Sequence, residues 1–400
     1  METINPDRRS FLGTAARGMG AIALGPSLVN MVGVVEAAPV SSIALYQLGD
    51  LQPADANGIR LPVGFTSRVI AVSGENVPGT RFTWRAFPDG GATFPTRLGG
   101  WIYTVNHEIP WPFGGVSALR FNPDGELVRA YSILERTNTN CAGGPTPWGT
   151  WLSCEEVSRG NVWECDAMGL RRPRLIEAMG TFKHEAVAYD PVNVHFYLTE
   201  DEPDGRFYRF IPEALGRDGI PDLSRGRLQA AVVEGDLQGA VSWVDVPNPN
   251  PGLLDTPTRE QLPATRAFDG GEGIWYHANQ VVFTTKGDNR VWRLDIPTQT
   301  LTVIYDDDLS DTPILTGVDN VTVSDSGEVL VAEDGGDMQI IVLAPDGSPR
   351  PLLQVENQEF SEITGPAFSP DGRRLYFNSQ RGPGGDGKRR GITYEITLPV

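Results

Sequence analysis

The chain has 400 residues, 40% of them hydrophobic, enough to bury a sizeable core in a single repeat domain. Its formal net charge of −18 sets it against nucleic acid, whose phosphates repel an acidic surface, and agrees with a protein that carries cations. Three cysteines are an odd count and cannot complete a disulfide framework, although Cys141 and Cys165 remain open to pairing.

Residues 1–38 read as an export signal. Asp7-Arg8-Arg9-Ser10-Phe11-Leu12-Gly13 sets a twin-arginine pair ahead of a phenylalanine and a leucine. A mildly apolar stretch follows from Ala15 to Val35, and Ala37-Ala38 supplies small residues. Arg17 and several glycines interrupt that stretch, so it makes a poor membrane span, and no stable span is expected in the mature protein. The expected partner is the twin-arginine export machinery and the expected location periplasmic or secreted. Residues 39–400 then form one domain.

Within that domain a strand-like run ending in polar residues recurs. Trp101–Val105 leads into Asn106-His107-Glu108, and Thr150-Trp151-Leu152-Ser153 into Cys154-Glu155-Glu156. His195–Thr199 leads into Glu200-Asp201-Glu202, and Val281–Thr285 into Lys286-Gly287-Asp288. Glu328–Ala332 leads into Glu333-Asp334-Gly335, and Arg374–Asn378 into Ser379-Gln380-Arg381. Spacings of about 47, 46, 86, 46 and 47 residues between markers predict an all-β, six-bladed β-propeller. The long interval holds one insertion, about 210–270, whose Val246–Gly252 segment is proline-rich and reads as an exposed loop.

In a hairpin, the first strand starts where the second ends. Glu185, Glu272, Asp319 and Thr364-Gly365 each precede a strand-end marker by roughly 14 or 15 residues, so the register recurs. Folding is therefore expected to gather Cys154, Glu155, Glu185, Asp201, Glu272, Asp319 and Glu333 at one mouth of the axis, with Glu108 nearby. Such carboxylates repel one another unless cations neutralise them. Carboxylates suit calcium, magnesium or ferric iron, and a thiolate favours a transition metal. His107 and His184 each precede a glutamate near this mouth; His195 and His277 read as structural. Clustered metals serve phosphoryl transfer, and no Gly-x-Ser-x-Gly elbow or phosphate-binding loop is present.

Asn106-His107-Glu108, Thr146-Pro147-Trp148-Gly149-Thr150-Trp151-Leu152-Ser153-Cys154-Glu155-Glu156 and Phe182-Lys183-His184-Glu185 together resemble the PhoX-type alkaline phosphatases. Asp319-Asn320, Glu362-Ile363-Thr364-Gly365-Pro366 and Ser369-Pro370-Asp371-Gly372 extend the resemblance to roughly residues 45–385. It implies a secreted propeller that hydrolyses phosphate monoesters with iron (Fe3+) and calcium, a cysteine bridging two ferric ions. By that resemblance Cys154, Glu185 and Glu272 match iron-binding positions, while Asp319 and neighbouring carboxylates hold calcium. The chain departs from the family at Gly270-Gly271, where an Arg-Pro pair normally precedes the glutamate; Arg381 is the candidate replacement cation. Two other functions stay open: a calcium-dependent lactonase or esterase, and a non-catalytic binding propeller braced by metal.

Overall fold

The computed structural model describes residues 44–309, 313–384 and 390–399; the twin-arginine segment lies outside the described residues. Strands β1 (Ile59–Arg60) and β2 (Thr66–Val72) precede the first four-stranded meander, β3 (Pro88–Pro95), β4 (Trp101–His107), β5 (Gly114–Phe121) and β6 (Leu127–Thr137). The second is β7 (Asn140–Pro145), β8 (Thr150–Glu155), β9 (Val162–Asp166) and β10 (Arg174–Leu175). The third is β11 (His184–Asp190), β12 (His195–Glu200), β13 (Phe207–Pro212) and β14 (Gly226–Val233), with β15 (Gln238–Asp245) added outside it. The fourth is β16 (Gly271–His277), β17 (Gln280–Thr285), β18 (Arg290–Asp295) and β19 (Thr300–Asp306). The fifth is β20 (Val318–Val323), β21 (Val329–Glu333), β22 (Gln339–Leu343) and β23 (Pro349–Val355). The last is β24 (Ile363–Phe368), β25 (Arg374–Ser379) and β26 (Ile392–Thr397), completed by β2.

The architecture is all-β and propeller-like, with only four short 3-10 helices among the described residues. Among the described residues the sheets number five rather than six separate ones. β15 pairs with both β14 and β19, fusing the third and fourth meanders into one nine-stranded sheet. Strands β3, β7, β11, β16, β20 and β24 pack each on the next in a closed cycle. The N-terminal segment staples the ring: β2 pairs with β26, β1 with β23, and the Leu45 amide donates to the Glu328 carboxylate. No described helix is long and apolar enough to cross a membrane. The three cysteines are all free.

Apolar residues fill each seam between neighbouring meanders. Leu330, Ile340 and Val342 meet Leu375, Phe377 and Ile396 in one seam, and Tyr103 stacks on Tyr376 in the next, ring centroids 5.1 Å apart. Fully buried side chains of this size contribute on the order of 1.5–3 kcal/mol each, so the seams supply most of the driving force. Toward the axis, small residues replace large ones because inner strands run closer there. A Cβ on Gly144 of β7 would lie 1.7 Å from the Val187 carbonyl oxygen of β11. Backbone cannot yield as a flexible side chain does. Gly144→Ala is expected to lower stability by about 1–3 kcal/mol in chemical denaturation, and an unchanged midpoint would contradict this packing.

Candidate metal centre

The first strand of every meander carries the same irregularity at its start. Pairing with the second strand skips two residues: Asp89-Gly90, Cys141-Ala142, Glu185-Ala186, Glu272-Gly273, Asp319-Asn320 and Gly365-Pro366. Two residues then oppose one, which is a β-bulge, a device that re-aims a side chain. The first residue of five bulges is a carboxylate or thiol, and all five are buried. In the sixth it is Gly365.

Residues opposite the bulges lock this geometry. Asn106 opposes Asp89-Gly90 and donates through Nδ2 to the carbonyls of Cys141 (3.0 Å) and Ala142 (2.7 Å) in the next meander. Its Oδ1 accepts from Trp151 Nε1 and Ser153 Oγ, so this buried amide leaves no group unmet. Thr199 opposes Glu185-Ala186 and donates to the Glu272 carbonyl; Thr284 opposes Glu272-Gly273 and donates to the Asp319 carbonyl. The Cys141, Glu272 and Asp319 bulges are thus held from the preceding meander.

The side chains so aimed converge. Ligand atoms of Cys141, Glu156 and Glu185 lie within 4.8 Å of one another, as do those of Glu185, Glu272 and Asp319. The same holds for Asp89, Glu108 and Glu362, and for Asp319, Asp334 and Glu362. Cys141 Sγ lies 3.6 Å from Asp89 Oδ1, joining the groups. Lys183 Nζ sits 3.0 Å from Glu156 and 2.5 Å from Asp201, and Arg381 3.2 Å from Glu362 and 3.6 Å from Asp334. Lys286 Nζ lies 3.2 Å from Glu272, 3.2 Å from Asp319 and 3.1 Å from Asp334.

Charge is badly out of balance here. Eight carboxyl groups and one thiol meet three basic side chains among the described residues. Burial, reinforced by neighbouring acids, pushes Asp89, Glu185, Glu272 and Glu362 well above the usual carboxylate range and raises Glu156 to about 7. Burial likewise pushes the Cys141 thiol well up. Both oxygens of Glu185 are buried without a hydrogen-bond partner. An unpaired buried carboxylate is costly, and cations could supply the missing charge. The donor set fits: sulfur with carboxylates on one side, oxygen alone on the other.

Among the residues expected from sequence, Glu185, Glu272 and Asp319 meet, Glu108 joins Asp89 and Glu362, and Arg381 lies against the same cluster. Four other expected residues lie outside these groups. Cys154 belongs to none of the candidate groups. It occupies the position opposite the Cys141-Ala142 bulge, the place Asn106 and Thr199 hold elsewhere, and packs with Leu152, Val162 and Phe182. Cys141 is the thiol in reach. Glu155 accepts from the backbone amides of Asn138 (3.0 Å) and Asn161 (3.2 Å) and closes its own loop, leaving Glu156 to face the axis. Glu333 is spent in the same way on the amides of Thr316 and Gln339, both at 2.9 Å. Asp201 pairs with Lys183 instead of joining a ligand group. His107 and His184 are buried and bonded to the carbonyls of Ala86 and Gly180. Asp89, Cys141, Glu156, Asp334, Glu362, Lys183 and Lys286 were not expected.

The raised carboxyls set a pH dependence. The folded, metal-free protein keeps protons that the unfolded chain releases near pH 4.5, so it binds more protons than the unfolded chain above that pH. Stability in chelator should fall as pH rises from about 4.5, the Glu156 contribution being complete above about 7. Thermal melts with and without chelator check this: Glu156→Gln flattens part of the slope, and a midpoint rising across the window would refute the charge assignment.

The sequence matches the alkaline phosphatase PhoX family over residues 104–170, 158–300 and 298–384. No curated protein matches it. Among solved structures, Pseudomonas fluorescens PhoX in complex with vanadate, a transition state analogue, superposes with a TM-score of 0.72 at 18% identity. That alignment covers 89% of this chain and 98% of the other. A Bacteroides thetaiotaomicron protein of unknown function aligns over 83% of this chain and 76% of its own, with TM-score 0.50 and 10% identity. A Xanthomonas campestris gluconolactonase reaches only 0.48 at 13% identity, over 88% and 98% of the two chains. With matched segments running from residue 104 to 384, most of its length, the chain belongs to the alkaline phosphatase PhoX family.

Proposed function

We propose that this chain is an exported, metal-dependent phosphomonoesterase, its six meanders forming a six-bladed propeller around the cation centre. What carries the reading is the convergence of Cys141, Glu156, Glu185, Glu272 and Asp319, with the Glu185 carboxylate buried and unpartnered. Cys141, Glu156 and Glu185 form a mixed sulfur and oxygen set that suits iron, with Glu272 and Asp319 beside it. Asp89, Glu108 and Glu362 offer oxygen alone and suit calcium. When bound, these cations supply the positive charge that draws in a phosphate dianion and polarises it.

The chain's own residues do the rest. Burial holds the Cys141 thiol well above its usual range, so it would have to give up its proton in order to hold a metal. The bulges hold the acidic side chains in place before substrate arrives, so little reorganisation is needed during reaction. Arg381, with its side chain one-third exposed, presents a planar fork at the rim, matched to two phosphate oxygens. Below the carboxylates the axial cavity is lined by Gly90, Ala142, Gly273 and Pro366 and holds only about 20 Å³, room for one water. Substrate therefore enters from the loop side. A periplasmic or secreted location rests on the twin-arginine segment.

The test is hydrolysis of p-nitrophenyl phosphate by the full chain purified with its metals. Turnover sensitive to vanadate is expected, reduced on the order of 100-fold or more in Glu185→Gln, with Arg381→Ala acting mainly on KM. Metal-loaded protein that turns over only lactones, or neither substrate, would sink the proposal.

A further inference from the structure

Lys286 stands inside the acidic centre, not at its edge. Its ammonium lies within 3.2 Å of Glu272 on β16, Asp319 on β20 and Asp334 just past β21. These acids are shared between two candidate cation groups: Glu272 and Asp319 with the unpartnered Glu185, and Asp319 and Asp334 with Glu362. Asp319 is common to both, and its Oδ2 faces the ammonium. Among the described residues no other base bridges Asp319 and Asp334. Arg381 engages Asp334 and Glu362, and Lys183 engages Glu156 and Asp201.

Hairpin geometry fixes the lysine there. Its backbone amide donates to the Gly270 carbonyl at 2.8 Å, immediately after β17. Gly270, in the left-handed region at φ +67°, has no side chain to compete; a Cβ there would lie 3.7 Å from the Lys286 Cβ. An ammonium and a hard divalent cation seek the same carboxylate oxygens, and one volume cannot hold both.

We propose that Lys286 serves as a tethered cation that excludes Ca2+ from the Asp319–Asp334–Glu362 group. This deepens the metal-centre reading and rests on it. The lysine thereby sets how many ions the centre loads, leaving the Cys141–Glu156–Glu185 and Asp89–Glu108–Glu362 groups for metal.

The experiment is elemental analysis and calcium titration of the full chain as wild type, Lys286→Met and Lys286→Arg. Lys286→Met should bind about one more Ca2+ per chain, with its melting temperature raised by calcium more than wild type's, while Lys286→Arg keeps the wild-type count. Equal calcium counts in wild type and Lys286→Met would overturn the proposal. So would a Lys286→Met protein that stays unfolded in millimolar calcium, because the ion should replace the lost charge. Iron in the same samples separates the two ideas: its absence from wild type defeats the metal-centre reading, whereas equal calcium with iron retained defeats only the role of Lys286.

Discussion

A β-bulge clamped from the preceding meander is the constraint on which the centre depends. Each first strand slips by one residue at its mouth end, and in five of the six the slip turns a carboxylate or thiol toward the axis. The slip survives because Asn106, Thr199 and Thr284 hold the displaced carbonyls of the following bulge. Strand register and ligand position are therefore one property. Loss of a clamp would leave buried carbonyls unmet and let the acid it aims relax away from its partners.

This arrangement works against stability. Apolar seams such as that joining Phe377 and Ile396 to Leu330 and Ile340 hold the ring together, while the axis concentrates acids that burial drives toward protonation. Lys183, Lys286 and Arg381 offset part of the charge. The remaining acids are the physical reason the centre could take up cations: groups that burial drives toward protonation without metal are the ones that would hold ions.

Much of this was legible in the sequence. The recurring strand runs marked the meanders, and the backward spacing of 14 or 15 residues found Glu185, Glu272 and Asp319. Applied to Glu155, the same spacing lands on Cys141, and Ala142-Gly143 after it echoes Gly90-Gly91 after Asp89. Asp89 escapes the rule because β3 and β4 stay paired further beyond the bulge, from Gly91↔Val105 to Pro95↔Trp101, than β20 and β21 do, from Val321↔Val331 to Val323↔Val329. Cys154 stands out in sequence because acidic residues follow it, yet alternation along a strand gives adjacent residues opposite faces, and it lies outside the candidate groups. Glu155 and Glu333 look like ligands too, but the amides they accept from belong to loops that only the fold brings near. The fusion of two meanders by β15, and the reach of Lys286 across three elements, depend on tertiary contacts that no local pattern encodes.

Metal-edge X-ray absorption on the iron-loaded wild type, Cys141→Ser and Cys154→Ser proteins tests the central claim most directly. The account predicts a sulfur neighbour to the metal in wild type and in Cys154→Ser, absent in Cys141→Ser. Sulfur persisting in Cys141→Ser and vanishing in Cys154→Ser would contradict it.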